Sequence, residues 1–279
     1  MVRIVTDSTC DLTKERLAEL GVLCVPLTVH FGEEEYRDGV DMTNPEFYEK
    51  LRKAAEIPTT AQPTPHAFEE VFAQCLERGE DVVCVLISTE LSGTAQSANI
   101  AKNTLESDRI HIVDSRTACL ALGLLVEIAA QRAAEGRSAE EIAAEMESLT
   151  DRVRINAAVE TLEYLKKGGR LSGTAAALGT MLNIHPLVGI LGGKVVQLGK
   201  ARGKKKMFES LRKMTEEEGI DDKYPVLLGH AQSMENYEQL RQACQPLTEG
   251  RTVLYGEIGS VIGTHAGPGV VAITYIKKA

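Results

Sequence analysis

The chain has 279 residues, 43% apolar and 25% charged, with a formal net charge of −9 and no tryptophan. The length suffices for two globular domains, and the acidic balance argues against a general nucleic-acid binder. No apolar run reaches the roughly 18 residues of a membrane span.

The pattern predicts a first strand over 2–5, followed by the turn Thr6-Asp7-Ser8-Thr9. A short helix over 12–20 closes at Gly21. A second strand covers 23–30, and its acidic continuation over 32–38 is expected at the surface. Met42-Thr43-Asn44-Pro45 opens a helix with Phe47, Leu51 and Ala54 on one face, and Pro45 sits where its missing N–H costs nothing. Three prolines in the segment 57–65, IPTTAQPTP, predict a rigid, irregular loop carrying hydroxyls. A helix over 68–76 follows. The valine-rich run 81–88 reads as a buried parallel strand. It ends in Ser-Thr-Glu-Leu-Ser-Gly-Thr, after which Ala95, Ala98, Ala101 and Leu105 recur at helical spacing. A strand over 109–114 and a long helix over 115–135 follow, and Ser138 with Glu141 forms a capping box for the next helix. Strands alternating with helices argue for a parallel sheet covered on both faces.

The second half changes rhythm. A strand over 153–159 and a short helix over 162–167 lead to Gly168-Gly169-Arg170. Segment 174–182 is apolar and made of small residues, so Ala175, Ala176, Ala177 and Gly179 could form a wall or plain packing. Strands over 187–191 and 194–198 flank Gly192-Gly193, a hairpin signal. A charged helix over 203–218 and strands over 226–230, 252–257 and 270–276 complete the chain. The reading is α/β: an N-terminal parallel-sheet α/β/α domain over 1–152, then a C-terminal α+β domain over 153–279 with a mixed or antiparallel sheet.

Several chemistries lack their motif: there is no Walker-type loop, no G-x-G-x-x-G after the first strand, no G-x-S-x-G and no H-E-x-x-H. Five of the histidines, 30, 66, 111, 185 and 230, read as ordinary surface or core. The six cysteines show no metal-ligand spacing. With no secretory h-region at the start, they fit a reduced, cytoplasmic location. What stands out is a set of small, hydroxyl-bearing loops. Ser92, Gly93 and Thr94 lie where a strand's carboxyl end meets a helix start, a place that welcomes an anion; the plainer role is an N-cap. Thr59 and Thr60 lie in the proline segment. The segment 259–269, GSVIGTHAGPG, holds His265 and is longer than a tight turn needs. Arg170, taken alone, reads as part of a solvated basic face.

Seven segments together carry a resemblance: VTDSTCDL at 5–12, PTTAQPTP at 58–65, ISTELSGTAQSA at 87–98, VDSRTA at 113–118, TLEYLKKGGRLSG at 161–173, LNIHPLV at 182–188 and IGTHAGPG at 262–269. The chain resembles the DegV proteins, bacterial cytoplasmic fatty-acid-binding proteins, several of which serve as the acyl-carrying subunit of fatty acid kinase. The resemblance implies a DegV-like fold with a long-chain fatty acid between the two domains and no cofactor or metal. Its carboxylate would be gripped by Thr60, Ser92, the Gly93 backbone and a network reaching Arg170 and His265. The ligand would be presented to a separate ATP-binding kinase that forms the acyl phosphate. One departure is Ala61, where the family more often has serine.

The residues agree with that implication, since a fatty acid needs an apolar slot and a polar cap with several donors. An alternative from another class is a serine hydrolase or acyltransferase with Ser92 as nucleophile and His265 as base. The run KARGKKK at 200–206 places five positive charges on an acidic protein. Arg202 and Lys204 are therefore candidates for kinase docking. The same run could make transient contact with an anionic membrane, and a plain solvated helix start is the other account.

Overall fold

The computed structural model describes residues 1–173 and 183–279; the small-residue segment 174–182 lies outside them. Strand β1 (Val2–Asp7) runs into a 3-10 turn at Ser8–Cys10, and helix α1 (Lys14–Leu20) follows between a Thr13 cap and Gly21. The single strand expected over 23–30 is two, β2 (Leu23–Val25) and β3 (Thr28–Phe31), which join different sheets. Pro26 lies at the break and has no N–H for a ladder. A turn at Gly32 leads into β4 (Glu34–Arg37). Asp38, expected at the surface, is buried. Helix α2 (Asn44–Lys53) opens with a Thr43–Glu46 capping box. The proline segment is not wholly irregular: Thr59–Ala61 forms β5 against β3. Prolines 58, 63 and 65 flank those three residues, so none interrupts the ladder.

Helices α3 (Pro65–Glu77), α4 (Thr94–Leu105), α5 (Leu120–Ala134) and α6 (Ala139–Leu149) alternate with β6 (Asp81–Leu86) and β7 (Ile110–Asp114). The sheet β2-β1-β6-β7 is parallel throughout. Its pleat sorts the side chains of β6: Val82, Cys84 and Leu86 join α3 and α4 in one core, while Val83 and Val85 join α5 in another. Helix α5 begins at Leu120 rather than Ser115, because Arg116 and Cys119 hold positive φ and interrupt helical geometry.

The second half contributes β8 (Val153–Ala158), α7 (Glu163–Lys167), β9 (Ile184–Leu191), β10 (Lys194–Arg202), α8 (Lys204–Glu218), β11 (Val226–His230), α9 (Met234–Thr248), β12 (Val253–Glu257), α10 (Ser260–Ala266) and β13 (Val271–Ile276). The sheet β10-β9-β8-β13-β11-β12 is mixed: β11 and β12 pair in parallel and the other neighbours are antiparallel. The hairpin at Gly192-Gly193 forms as its sequence predicts. Helix α9 is not among the elements the sequence pattern predicts. The glycine-rich segment 259–269, expected as a loop, is largely helix α10. Its end glycines, 259 and 267, bracket the helix, and Gly263 lets the rings of Phe47 and Tyr48 approach.

Helix α5 lies between the two sheets. Residues 120–130 are all buried, against β1 and β6 on one side and β8, β11 and β13 on the other. A helix that is apolar nearly all round is the kind such a position requires, and its one buried acid, Glu127, is paired with Arg16. Helices α8 and α9 cover the far face of the mixed sheet.

Candidate functional site

The carboxyl end of β6 runs through Ser88 to the start of α4. Gly93 is the N-cap, and no side chain caps the helix, so the hydroxyls beside it leave its first amides unclaimed. Ser92 Oγ instead lies 2.9 Å from Thr94 Oγ1. Just before the turn, Asp7 Oδ2 accepts the Ile87 N–H at 2.8 Å and pins the strand end. The proline segment reaches across to the same turn. Gln62 Nε2 donates to the Gly93 carbonyl at 3.2 Å and to Ser97 Oγ at 3.0 Å. Gly93 makes this possible, because a Cβ there would lie 2.2 Å from Gln62 Oε1.

Helix α10 brings in His265, whose Nε2 lies 2.8 Å from Thr60 Oγ1. Its Nδ1 is buried with no hydrogen-bond partner among the described residues. The ring fits because residue 168 is glycine: a Cβ there would come within 2.2 Å of Nδ1. Arg170 folds back from this turn. Its Nη1 donates to the Gly168 carbonyl at 2.7 Å and its Nε to the Leu91 carbonyl at 3.3 Å. Unlike exposed Lys166 and Lys167, it is partly buried, so the solvated-face reading does not hold for it. Burial, and then the Arg170 charge, push the His265 pKa down from 6.5 to about 4. The imidazole is therefore neutral at pH 7.

Thr60, Ser92, Gly93, Arg170 and His265 thus come together, and all five line one cavity of about 410 Å³. Most of the remaining wall is apolar, built from Ile155 and Ala157 of β8, Val188 and Ile190 of β9, Ala272 of β13 and Ile262 of α10. The size is that of a small-molecule site. Ala61 also lines it. A second cavity of about 560 Å³ shares Thr60, Arg170 and His265 and is also lined by Lys167 and Tyr164. The polar cluster therefore borders both spaces. Sequence reasoning missed Gln62; its place beside the hydroxyl pair in the proline segment was the available signal.

The basic run lies elsewhere. Arg202 ends β10, an edge strand, and is exposed. Lys204, Lys205 and Lys206 occupy the first turn of α8, where the helix dipole disfavours cations. Lys204 Nζ lies 3.7 Å from Glu235.

An apolar slot with a donor-rich end suits an amphipathic anion, since an unpaired buried carboxylate is very costly. The nucleophile alternative needs Ser92 beside His265. Instead His265 meets Thr60 and Ser92 meets Thr94, and an imidazole with so low a pKa is a weak base. Among the described residues no group of three His, Cys, Asp or Glu side chains is arranged to hold a metal ion. No helix among them is long and apolar enough to cross a membrane.

The DegV family model matches residues 1–278. A DegV domain-containing protein of Caldanaerobacter subterraneus subsp. tengcongensis is 35% identical over 278 residues, 99% of each chain. Among solved structures, a fatty-acid-binding DegV family protein from Thermus thermophilus is 36% identical, with a TM-score of 0.89 over 100% of both chains. A stearic acid-binding protein from Eubacterium ventriosum is 30% identical, with a TM-score of 0.89 over 100% of this chain and 99% of its own.

Proposed function

The chain belongs to the DegV family, and on that premise we propose that it binds a long-chain fatty acid in the 410 Å³ cavity, with the carboxylate held by Thr60, Ser92, Gly93, Arg170 and His265. The observation that carries this reading is the meeting of those five residues on an otherwise apolar cavity, in a fold shared with solved proteins described as fatty-acid-binding. Each buried methylene of the acyl chain contributes about 0.8 kcal/mol, and the head-group donors fix its orientation. The proton order follows from the chemistry. A carboxylate only accepts, so the Thr60 hydroxyl must donate to it. Thr60 Oγ1 then accepts from His265 Nε2, which places the imidazole proton on Nε2. Ser92 and the first amides of α4 supply further donors, and Arg170 supplies positive charge. The two domains, 1–152 and 153–279, both contribute walls to the ligand's cavity.

In the further step of this reading, the bound carboxylate is presented to a separate kinase for acyl phosphate formation, in the cytoplasm, with docking at Arg202 and Lys204. Three lysines at a helix N-terminus work against the helix dipole, a placement that favours an anionic partner surface. Brief contact with an anionic membrane during lipid exchange would use the same charges. The test of the central reading is mass spectrometry of solvent-extracted protein. One long-chain fatty acid per chain is expected; protein that extracts clean and takes up no added fatty acid refutes it.

A further inference from the structure

Three buried acids take no part in gripping a head group. Asp7 is 0% exposed, Asp11 5% and Asp38 5%. Burial raises the pKa of each above the usual carboxyl range, that of Asp7 to about 6. Ionised acids in such places cost stability unless they hold something.

What Asp11 and Asp38 hold is the start of α10. Asp11 Oδ1 accepts the Gly259 N–H at 2.9 Å. Asp38 Oδ1 accepts the Ser260 N–H at 3.2 Å and the Ser260 hydroxyl at 2.6 Å. The Tyr48 hydroxyl donates to the Ile258 carbonyl at 3.0 Å, one residue before Gly259. Gly259 permits the approach, since a Cβ there would lie 3.1 Å from Asp11 Oδ1. Helix α10 has seven residues, too few to be stable alone, so its placement comes from these contacts and its packing. His265 lies in its last turn, on Thr60. Asp7 does the corresponding work on the other arm, fixing Ile87 ahead of the Ser92 turn.

We propose that Asp11 and Asp38 are positioning residues of the head-group site: by clamping the first turn of α10 they set His265 against Thr60. This rests on the reading that the His265–Thr60 pair belongs to a fatty-acid site. The clamp works through acceptor oxygens. Other ionisable groups around these acids are Tyr48 from α2, Cys119 from α5 and Cys24 from β2. Glu257 from β12 and Lys14 from α1 line the adjoining cavity with Asp11 and Asp38.

The test compares Asp38→Ala with Asp38→Asn, which keeps an acceptor for Ser260. Two quantities are read: the His265 titration by ring-proton NMR without lipid, and oleate affinity. With Asp38→Ala, the His265 pKa is expected to rise from about 4 toward 6.5, and oleate affinity to fall about tenfold or more. Asp38→Asn is expected to restore most of both. If Asp38→Ala does not fold, Ser260→Ala, which removes one donor, is expected to move both readouts in the same direction by less. An unmoved His265 titration in the folded variant overturns the proposal. The titration needs no lipid, so wild-type protein that binds no oleate would refute the fatty-acid reading and leave the positioning role to be judged separately.

Discussion

His265→Gln removes a buried imidazole that resists protonation. Its pKa in the folded protein is about 4 against an ordinary 6.5, because burial and then Arg170 disfavour the cation. The unfolded chain therefore binds more protons between those two values, and stability falls as pH drops through 6.5 toward 4. From pH 7.5 to pH 5 this single group removes about 2 kcal/mol, rising to about 3.4 kcal/mol well below pH 4. Asp7, raised to about 6, acts in the opposite direction over part of the window, but it is common to both proteins and cancels in the comparison. The assay is urea unfolding at pH 7.5 and pH 5, followed by circular dichroism because the chain has no tryptophan. Wild type should lose about 2 kcal/mol more than His265→Gln over that interval. Parallel losses in the two proteins would refute the assigned burial of the imidazole and its neutral state at pH 7.

Ser92→Ala should weaken fatty-acid binding by about 1.5–3 kcal/mol, the worth of one hydrogen bond to a charged group, with an unchanged unfolding midpoint. Intact affinity together with loss of an ester-hydrolysing activity would restore the nucleophile reading instead. Gly168→Ala should push His265 off Thr60, since the new Cβ would start 2.2 Å from Nδ1. Its oleate affinity, measured by calorimetry, should fall about as far as with loss of the histidine itself. Arg202→Ala combined with Lys204→Ala should leave lipid loading intact and lower acyl phosphate formation by the native kinase. Unchanged phosphorylation would remove the docking role.

The layered alternation of the N-terminal half was legible because length and composition report burial: β6 is a short valine-rich run and α5 a long alanine- and leucine-rich one. The residues of the site were legible as types, small and hydroxylic, because close approach and hydrogen bonding demand those types. Pairings were not legible. Nothing in a linear pattern says that His265 meets Thr60 rather than Ser92. Asp38 read as surface because an acidic stretch usually is; its burial is offset by hydrogen bonds from Ser8 and from the returning helix start, 222 positions away. Segment 259–269 read as a loop because glycine count outweighed the seven residues that the glycines bracket. Thr59–Ala61 was hidden by prolines on both sides of it. The small-residue wall proposed over 174–182 lies outside the described residues.

Helix α5 has a consequence for how the slot can be filled. Because it packs on both sheets at once, swinging the two halves apart would strip one whole flank of an apolar helix and expose it to water. A clamshell motion about a central hinge is thus opposed by the same contacts that hold the protein together. A short edge piece is cheaper to displace: β5 has three residues and lies at the edge of its sheet, whereas α10 is held by Asp11 and Asp38. A lipid tail should therefore thread in past a yielding margin while the frame stays shut, and its rate of exchange should follow local fluctuations of that margin rather than global opening.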